Sequence, residues 1–526
     1  MNADLLRPTA RCLVLLSAAA MAPVVPAPAR AQTAEAPCPD TCYVLTAMTI
    51  QGVTVYPLAE LTATYDHLLA RRISVGDLVQ VAAAITDKYR ADGYFLTRAV
   101  VAPTDVTDGS ATIVVYEGYV GDLEIIGPGA AAVRPLLASL TAARPLSIAD
   151  LDHRLSLASD VPGVELTSSI EPVLGDPARH RLAVNASRRA YTARAYLENR
   201  GSPSQGPWQA YLTTSGNSLL AAGDQLTLSM LTTPERVDEL TFAELAYSTS
   251  LGQGRRFRFA LSGYTTDAPP STTNNWLSGR SKAVSINLSQ PLLRSRQKSL
   301  WLNAALDRRR VEQIYSAIGL ADEDLSVARL SLSGQQRIAG ASLTGFAQVS
   351  QGLEALGSTT QNAPNLTRSD ADGVFTKFNL GFTAYRDIGR YAGIYGQVAA
   401  QWSGDPLLNS EEFAVGGSPF GRGYNYGELS GDSGVAGLVE LRLGWDPAGD
   451  TLSFVQFYSF LDAASVSNHG TGGDRTDELS AAGGGLRLTF REKTTLELEL
   501  AKPMSRAPYS EPDNDWRGFV SLNHRF

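Results

Sequence analysis

The second half of the chain carries the pattern that most restricts its fold. From about residue 190 onward, short segments alternate apolar and polar residues and are separated by turn residues. In residues 494–503, TTLELELAKP, leucines take one face of an extended strand and Glu497 and Glu499 take the other. Residues 437–445, GLVELRLGW, repeat the pattern with Glu440 and Arg442. Because successive side chains of a strand point to opposite faces, this period predicts strands with one apolar and one charged face.

The number of these segments and the lengths of their connections narrow the fold further. We count sixteen candidate strands, which begin near residues 190, 206, 223, 239, 255, 276, 299, 324, 340, 375, 391, 434, 452, 478, 494 and 516. Connections after even-numbered strands are short (GQG, IAG, GR, PAGD, EK), and those after odd-numbered strands are mostly longer and polar. A soluble β-sandwich also alternates but has no reason to show this parity. An even number of antiparallel strands of about ten residues, with unequal loops at the two ends, predicts a closed outer-membrane β-barrel over residues 189–526.

The N-terminus indicates export. Arg7 and Arg11 precede an apolar run, CLVLLSAAAMA, which is followed by small residues, so residues 1–31 are predicted to be a cleaved signal peptide. Beyond residue 31 no apolar stretch approaches the roughly 20 residues of a membrane-spanning helix. The chain has a formal net charge of −8, and the signal segment is basic, so the exported protein is acidic. This balance disfavours a nucleic-acid partner.

Residues 32–42 form a short N-terminal segment with two cysteines. Cys38 and Cys42 suit a local disulfide in an oxidising compartment, and the alternative, a metal clip, would need further ligands that do not appear nearby. The five histidines of the chain lack metal-ligand spacing, and metalloprotease, phosphate-loop and nucleophile-elbow motifs are absent. The sequence therefore predicts no cofactor, no metal and no enzymatic activity.

Residues 43–188 contain a repeat. RRISVGDLV at 71–79 and RPLSIADLD at 144–152 share one frame at an offset of 73 residues. Each copy places a serine three residues before an aspartate and ahead of an amphipathic run, so Ser74 and Ser147 are predicted helix N-caps. Strand patterns flank both copies, which predicts two βααββ modules at 43–118 and 119–188.

These modules resemble POTRA domains, the periplasmic modules of the BamA-type outer-membrane superfamily. The stretch DGYFLTRAVV at 92–101 is similar to the family's most recognisable segment. One interpretation makes the modules spacers. The other makes an exposed sheet edge, or the groove between it and a helix, a docking site for an extended chain.

A long loop, residues 404–434, separates the eleventh and twelfth candidate strands. Two POTRA-like modules followed by sixteen strands with such a loop resemble the TpsB transporters of two-partner secretion, the haemolysin activation and secretion family. In that family the loop carries a V-R-G-Y tetrad and the thirteenth strand carries F-x-D-x-G. The matching positions here are Gly421, Arg422, Gly423 and Tyr424, preceded by Phe420, and then Phe460, Asp462 and Ala464. Gly421 stands where the family has valine, and Ala464 where it has glycine.

The resemblance implies that the loop folds into the barrel and that Arg422 pairs with Asp462. Alternation places Asp462 on the same face of its strand as Phe460, which we expect to be the lumenal face. A guanidinium fits a carboxylate with two parallel hydrogen bonds. From the residues alone, the alternative is that Arg422 is solvated at an exposed loop tip.

The resemblance also implies location and partners. It places the barrel in the outer membrane and the modules in the periplasm. The implied partners are a secreted exoprotein bound through the POTRA modules, outer-membrane lipid, periplasmic chaperones, and the barrel-assembly machinery, which would recognise the terminal Phe526. About 11 residues separate the cleavage site from the first strand, too few for a helix across a bilayer of about 30 Å, so we predict no plug helix. The alternatives are a BamA- or TamA-like insertase, which usually has more modules, and a barrel enzyme, which usually has none.

Overall fold

The computed structural model describes residues 42–103, 108–202, 206–267, 277–315, 318–361, 363–447, 449–470 and 474–526. Three predicted features lie outside these residues: the signal peptide, Cys38, and the segment for which we predict no plug helix. Cys42 is disulfide-bonded, and its pairing with Cys38 stays a prediction. The chain separates into two compact units: one contains most of the described residues before Arg189, and the other contains Arg189–Phe526.

The first module is a small α/β layer. Its elements are β1 (Tyr43–Val44), β2 (Ala47–Gln51), α1 (Leu58–Thr62), a 3₁₀ turn (Asp66–Leu68), β3 (Arg72–Ile73), α2 (Val75–Ala91), β4 (Arg98–Val101) and β5 (Ser110–Tyr116). Strand β5 lies at the centre of a three-stranded sheet, parallel to β2 and antiparallel to β4. Helix α2 buries Ile85 and Tyr89 against Ile113 and Val115 of this sheet. The apolar face of the helix therefore closes the core of the module.

The second module repeats the arrangement. It consists of β6 (Tyr119–Ile126), α3 (Ala130–Leu137), a 3₁₀ turn (Ala138–Thr141), α4 (Ile148–Ser159), β7 (Val164–Pro172) and β8 (Arg179–Arg188). Strand β8 is central, parallel to β6 and antiparallel to β7. The two-fold βααββ pattern is thus confirmed, with the short β1–β3 pair as an addition in the first module.

Both predicted helix caps are present. The Ser74 hydroxyl accepts the Asp77 N–H at 3.3 Å, and the Asp77 carboxylate accepts the Ser74 N–H at 2.7 Å, which completes a capping box at the start of α2. At α4 the Ser147 hydroxyl accepts the Asp150 N–H at 3.0 Å. These bonds satisfy helix-end amides that have no partner within the helix.

A carboxylate that the sequence did not single out ties the first module together. Glu117, directly after β5, accepts the N–H groups of Thr54 at 2.7 Å and Val55 at 3.1 Å, and the Tyr89 hydroxyl at 2.6 Å. Burial by itself raises the pKa of Glu117, but the hydrogen bonds from Thr54, Tyr89 and Val55 outweigh it and hold the pKa below its usual range. The ionised form is therefore the one that links α2 to the segment after β2.

The described residues of the second unit form a closed barrel of sixteen strands, as predicted. In chain order its strands, and the two short strands of the long loop, are β9 (Tyr191–Glu198), β10 (Gln209–Asn217), β11 (Gln225–Thr232), β12 (Leu240–Gly252), β13 (Arg255–Asp267), β14 (Leu277–Arg294), β15 (Lys298–Tyr315), β16 (Ile318–Ile338), β17 (Ala341–Gly352), β18 (Thr376–Asp387), β19 (Ala392–Ser403), the loop strands β20 (Phe413–Val415) and β21 (Leu429–Gly431), β22 (Ser433–Trp445), β23 (Leu452–Asn468), β24 (Arg475–Phe490), β25 (Thr494–Pro503) and β26 (Arg517–Arg525). Neighbouring barrel strands are antiparallel, and β26 pairs with β9 to close the cylinder. Closure leaves no open sheet edge, as hydrocarbon requires.

The barrel is apolar outside and charged inside. On β22, Glu440 is fully buried while Leu441 is 46% exposed, and on β25, Glu499 is buried while Leu500 is 59% exposed. This distribution is the reverse of that in a soluble β-sandwich. It suits strands that have lipid on one side and a polar lumen on the other.

Most connections follow the predicted parity, although the even-numbered β10–β11 connection, residues 218–224, is as long as the odd-numbered β11–β12 connection, residues 233–239. Strands β15 and β16 are joined through only residues 316–317, although this is an odd-numbered connection. The difference arises because β14, β15 and β16 are themselves 18, 18 and 21 residues long, so the chain that was expected as loop continues as strand. In the described part of the chain, no α-helix is both long and apolar enough to cross a bilayer.

Candidate functional site

The long loop between β19 and β22 lies inside the barrel. Its strands β20 and β21 pair with each other, and the residues between them, 416–428, form a turn that we call the tip. Arg422 in the tip is 6% exposed and Tyr424 is 1% exposed. The tip is therefore enclosed by the barrel wall, and Arg422 is not solvated at an exposed loop end.

The Arg422 guanidinium joins two wall strands. It lies 2.6 Å from a carboxylate oxygen of Glu440 on β22 and 3.2 Å from one of Glu499 on β25. It also lies over the Phe460 ring on β23, 4.6 Å from the ring centre. Both carboxylates are almost fully buried, so water screens these two ion pairs only weakly. The contact with the Phe460 ring adds a cation–π interaction.

Asp462 holds the same turn through a different group. Its carboxylate accepts the backbone N–H of Gly421 at 2.8 Å and that of Arg422 at 3.3 Å. The structure brings Arg422 and Asp462 together but corrects the predicted fork between their side chains. The positive φ of +85° at Gly421 aims two successive N–H groups at the carboxylate. The longer guanidinium side chain then reaches past Asp462 to the two glutamates.

Gly421 and Gly423 of the tip are needed for its close approach to the wall. A Cβ at Gly423 would lie 2.7 Å from the Pro503 nitrogen, and one at Gly421 would lie 2.7 Å from a Leu479 methyl group. The departure from valine at 421 therefore has a physical reason, since a branched side chain has neither room nor a favourable φ there. Ala464, the other departure, is buried in the apolar cluster around the tip, together with Phe420.

Tyr424 anchors the far side of the tip. Its hydroxyl lies 3.2 Å from the Ser480 carbonyl, 3.0 Å from the Ser505 hydroxyl and 3.2 Å from the Arg506 carbonyl. The tip is thus bound to several parts of the wall rather than through a single ion pair.

The remaining members of the charge cluster were not predicted as site residues. Glu440 also pairs with Arg442 at 2.5 Å and with Arg487 at 3.4 Å. Glu499 also pairs with Arg200 at 2.5 Å and accepts the Tyr458 hydroxyl at 2.6 Å. The alternation in residues 437–445 and 494–503 contained the signal for the glutamates, because it places them on the lumenal face. Arg200 follows β9 in a connection, where no periodicity marks it.

The base of the loop has its own ion pairs. Glu411 lies 2.7 Å from Arg329 on β16 and 2.8 Å from Lys377 on β18. Asp432 lies 2.7 Å from Arg368, which belongs to the connection between β17 and β18. The base and the tip are therefore held by separate sets of charges.

Phe526, the predicted assembly signal, follows the last strand. Its backbone N–H donates to the Ala193 carbonyl at 3.0 Å, and its ring packs edge-to-face on His524 with centroids 4.5 Å apart. The side chain is largely exposed. Elsewhere in the described ranges, no group of three or more histidine, cysteine or acidic side chains is placed to hold a metal ion.

Two POTRA-type modules, a sixteen-stranded barrel and a lumenal loop define the chain as an outer-membrane transporter of the two-partner secretion type. The family model "Haemolysin secretion/activation protein ShlB/FhaC/HecB" matches residues 181–488, and "POTRA domain, ShlB-type" matches residues 43–118. The chain belongs to this haemolysin secretion/activation family. The predicted class, with the barrel in the outer membrane and the modules in the periplasm, is thereby confirmed.

Individual relatives agree with the family match. The chain is 22% identical over 461 residues to the heme/hemopexin transporter protein HuxB of Haemophilus influenzae, covering 85% of this chain and 80% of that one. It is 22% identical over 513 residues to the outer membrane transporter CdiB of Dickeya dadantii, covering 93% and 87%. The solved CdiB from Escherichia coli superposes with a TM-score of 0.75 at 19% identity over 96% of this chain and 94% of that one. BamA from Haemophilus ducreyi gives 0.52 at 15% identity, over 92% and 100%, so the insertase alternative corresponds to a more distant likeness.

Proposed function

We propose that this transporter captures an unfolded exoprotein with its POTRA modules and passes it through the barrel when the tip leaves the lumen. The observation that carries the proposal is the enclosed tip, whose Arg422 lies between charged side chains of the wall. A chain segment in this position obstructs the passage and has to move before a client can pass. No enzymatic step enters the proposal, and folding of the client outside the cell would supply directionality.

The charge cluster supports a tip that can be displaced. When Arg422 leaves, Glu440 keeps Arg442 and Arg487, and Glu499 keeps Arg200. Removing one partner of a buried pair is costly chiefly because it leaves an uncompensated charge. Here the glutamates retain other partners, so displacement costs less than breaking an isolated pair. Asp462 gives up the two amides of the tip.

The base of the loop limits the movement that we propose. Its ion pairs through Glu411 and Asp432 do not involve the tip. Positive-φ glycines lie near both ends of the tip, at Gly416, Gly417 and Gly427. We infer that the tip swings about these glycines while β20 and β21 keep their place.

The modules offer the client unpaired strand edges. Each three-stranded sheet has its parallel pair on one side and its antiparallel pair on the other, which leaves β2 and β4, and β6 and β7, as edge strands. An extended exoprotein adds to such an edge through main-chain hydrogen bonds. We retain 43–118 and 119–188 as the two modules and 189–526 as the barrel in this scheme.

The delivery of the transporter itself belongs to the same proposal. We propose that periplasmic chaperones carry the exported chain to the barrel-assembly machinery and that Phe526 marks its end for recognition. Deletion of Phe526 should lower the amount of heat-modifiable, folded barrel in the outer membrane, while Phe526→Tyr, which keeps an aromatic terminus, should not. Equal amounts of folded barrel from the deletion variant would contradict the role of Phe526.

A reversible cross-link tests the movement of the tip. The Arg422 N–H lies 3.3 Å from the Asp462 carboxylate, so the variant Arg422→Cys/Asp462→Cys places two thiols close together. Oxidation should stop secretion of the co-expressed exoprotein, and reduction should restore it, whereas each single cysteine variant should secrete under both conditions. Undiminished secretion by the oxidised, cross-linked protein would refute the proposal.

A further inference from the structure

Two of the three longest barrel strands, β14 and β15, present a basic group on the lipid-facing side of the outer end. Strand β14 pairs with β15 so that Lys282 stands directly opposite Arg310, and Arg280 opposite Glu312. Residues directly opposite in an antiparallel pair share one face of the sheet. On β14 this face continues with Val284, which is exposed and apolar, so the cations lie on the outside of the barrel.

The position of these cations along the strand matches the edge of the membrane. Val284, Ile286 and Leu288 alternate outward on β14 and are each about 40% exposed, as the apolar band of such a barrel requires. At about 3.4 Å per residue and a tilt of about 45°, Lys282 lies roughly 5 Å beyond Val284 along the membrane normal. Arg280 lies a similar step further out. This is the level at which lipid headgroups replace hydrocarbon.

This end of the barrel faces the outer leaflet. The chain enters the first strand, β9, from the periplasmic modules, so the short turns after even-numbered strands lie on the periplasmic side. The β15–β16 connection follows an odd-numbered strand and lies at the opposite end. The basic group is therefore next to the external surface of the membrane.

The local charges are only partly paired. Arg310 lies 2.9 Å from Glu312, 3.0 Å from Asp322 and 3.9 Å from Asp324, so its charge is largely offset, whereas the other two cations differ. Among the residues that the structure describes, no acidic side chain forms an ion pair with Arg280 or Lys282. Like charges directly opposite each other destabilise a strand pair, and the Lys282–Arg310 pair is relieved when both share an anion.

The surface next to Lys282 has room for a ligand. Gly263 of β13 stands directly opposite Lys282 on its other side. A Cβ added at Gly263 would have a single neighbour within 4 Å, the Ser281 carbonyl oxygen at 3.9 Å. The outward surface beside the lysine is therefore open.

We propose that Arg280, Lys282 and Arg310 bind a phosphate group of a phosphorylated glycolipid in the outer leaflet, whose acyl chains lie against Val284 and Ile286. The three cations supply charge and several N–H donors to the phosphate oxygens. The apolar band below them matches the acyl chains. This inference concerns the lipid-facing surface and stands apart from the proposed movement of the tip.

The test uses the purified full-length protein in detergent and diphosphoryl lipid A as the probe, with retained lipid measured by native mass spectrometry. Basic residues at a membrane surface each contribute about five-fold in affinity, so Arg280→Gln/Lys282→Gln/Arg310→Gln should bind lipid A about 100-fold more weakly. The matched control is Arg255→Gln/Lys298→Gln, which removes exposed cations from the opposite end of the barrel and should bind like the unaltered protein. Heat modifiability on gels confirms that each variant is folded.

Further binding measurements identify which part of the lipid the protein recognises. Lipid A whose phosphates have been removed should bind the unaltered protein as weakly as the intact lipid binds the triple variant, and Lys282→Arg should retain binding. Inorganic phosphate at millimolar concentration should not displace the lipid, because it lacks the acyl chains. Equal binding of lipid A to the triple variant and the unaltered protein would overturn the proposal, as would equal binding of the dephosphorylated lipid or displacement by free phosphate.

Discussion

Replacement of Arg422 tests how the tip is held. Arg422→Met keeps the length of the side chain and removes both ion pairs, to Glu440 at 2.6 Å and to Glu499 at 3.2 Å. Breaking one isolated buried pair costs about 3–5 kcal/mol. Because both glutamates keep other arginines, we expect a smaller loss of about 2–3 kcal/mol in the free energy of tip docking. The ratio of displaced to docked tip should then rise about 30- to 150-fold.

Conductance measures this ratio directly. The full-length protein in a planar bilayer should spend more time in open states after Arg422→Met, and the change in open probability gives the free energy. Arg475→Met is the matched control, since Arg475 is exposed and pairs with Asp477 at 2.9 Å. A surface pair of this kind contributes about 0–1 kcal/mol, so the control should leave gating almost unchanged.

A double-mutant cycle identifies the partner of the guanidinium. In the structure the side chain of Arg422 pairs with Glu440, whereas Asp462 binds the backbone. Arg422→Met and Glu440→Gln should therefore be coupled by about 1–3 kcal/mol, and Arg422→Met and Asp462→Ala by much less. A larger coupling with Asp462 than with Glu440 would refute this reading of the site and restore the fork expected from the sequence.

Two further predictions address packing and pH. Gly423→Ala should weaken docking of the tip by about 1–3 kcal/mol and raise the open probability, because its Cβ would lie 2.7 Å from the Pro503 nitrogen. The control Gly449→Ala should have no such effect, because its Cβ would meet nothing within 4 Å. An equal response of both variants would count against the close contact. Because the folded-state pKa of Glu117 is lowered, the stability that it contributes is present above its ordinary value of 4.5 and is lost as the pH falls through the folded-state pKa. Hydrogen exchange of the amides in Val75–Ala91 should therefore accelerate below about pH 4.5 in the full-length protein and lose this acid dependence in Glu117→Gln, and an unchanged profile in that variant would contradict the assignment.

The barrel was predictable from the sequence because each strand carries its own alternating pattern and the pattern repeats from strand to strand. A strand between lipid and water has to alternate, and each alternating segment showed its own start and its two faces. The capping serines were predictable for the same reason, since Ser74 and Asp77 are three residues apart. Glu117 was not, because its partners Thr54 and Val55 lie more than 60 residues away in the chain and no periodicity connects them.

The site was predicted in location but not in pairing. Alternation assigned Asp462, Glu440 and Glu499 to the lumenal face, yet it does not give the height of each carboxylate or the side of the lumen from which it projects. The partner of Arg422 depends on the turn at Gly421, whose positive φ presents backbone N–H groups to Asp462. That conformation results from tertiary contact with the wall and has no counterpart in strand periodicity.

The charge cluster around the tip determines which side chains line the passage for a secreted polypeptide after the tip has moved. With the tip in place, Arg200, Arg422, Arg442 and Arg487 face Glu440, Glu497, Glu499 and Asp462. Once the tip departs, Arg200, Arg442 and Arg487 remain beside these carboxylates, and Arg506 and Arg517 lose their tip partners Glu428 and Asn425. The vacated wall therefore presents fixed charges of both signs, and a passing polypeptide meets a partner there for its basic as well as its acidic side chains.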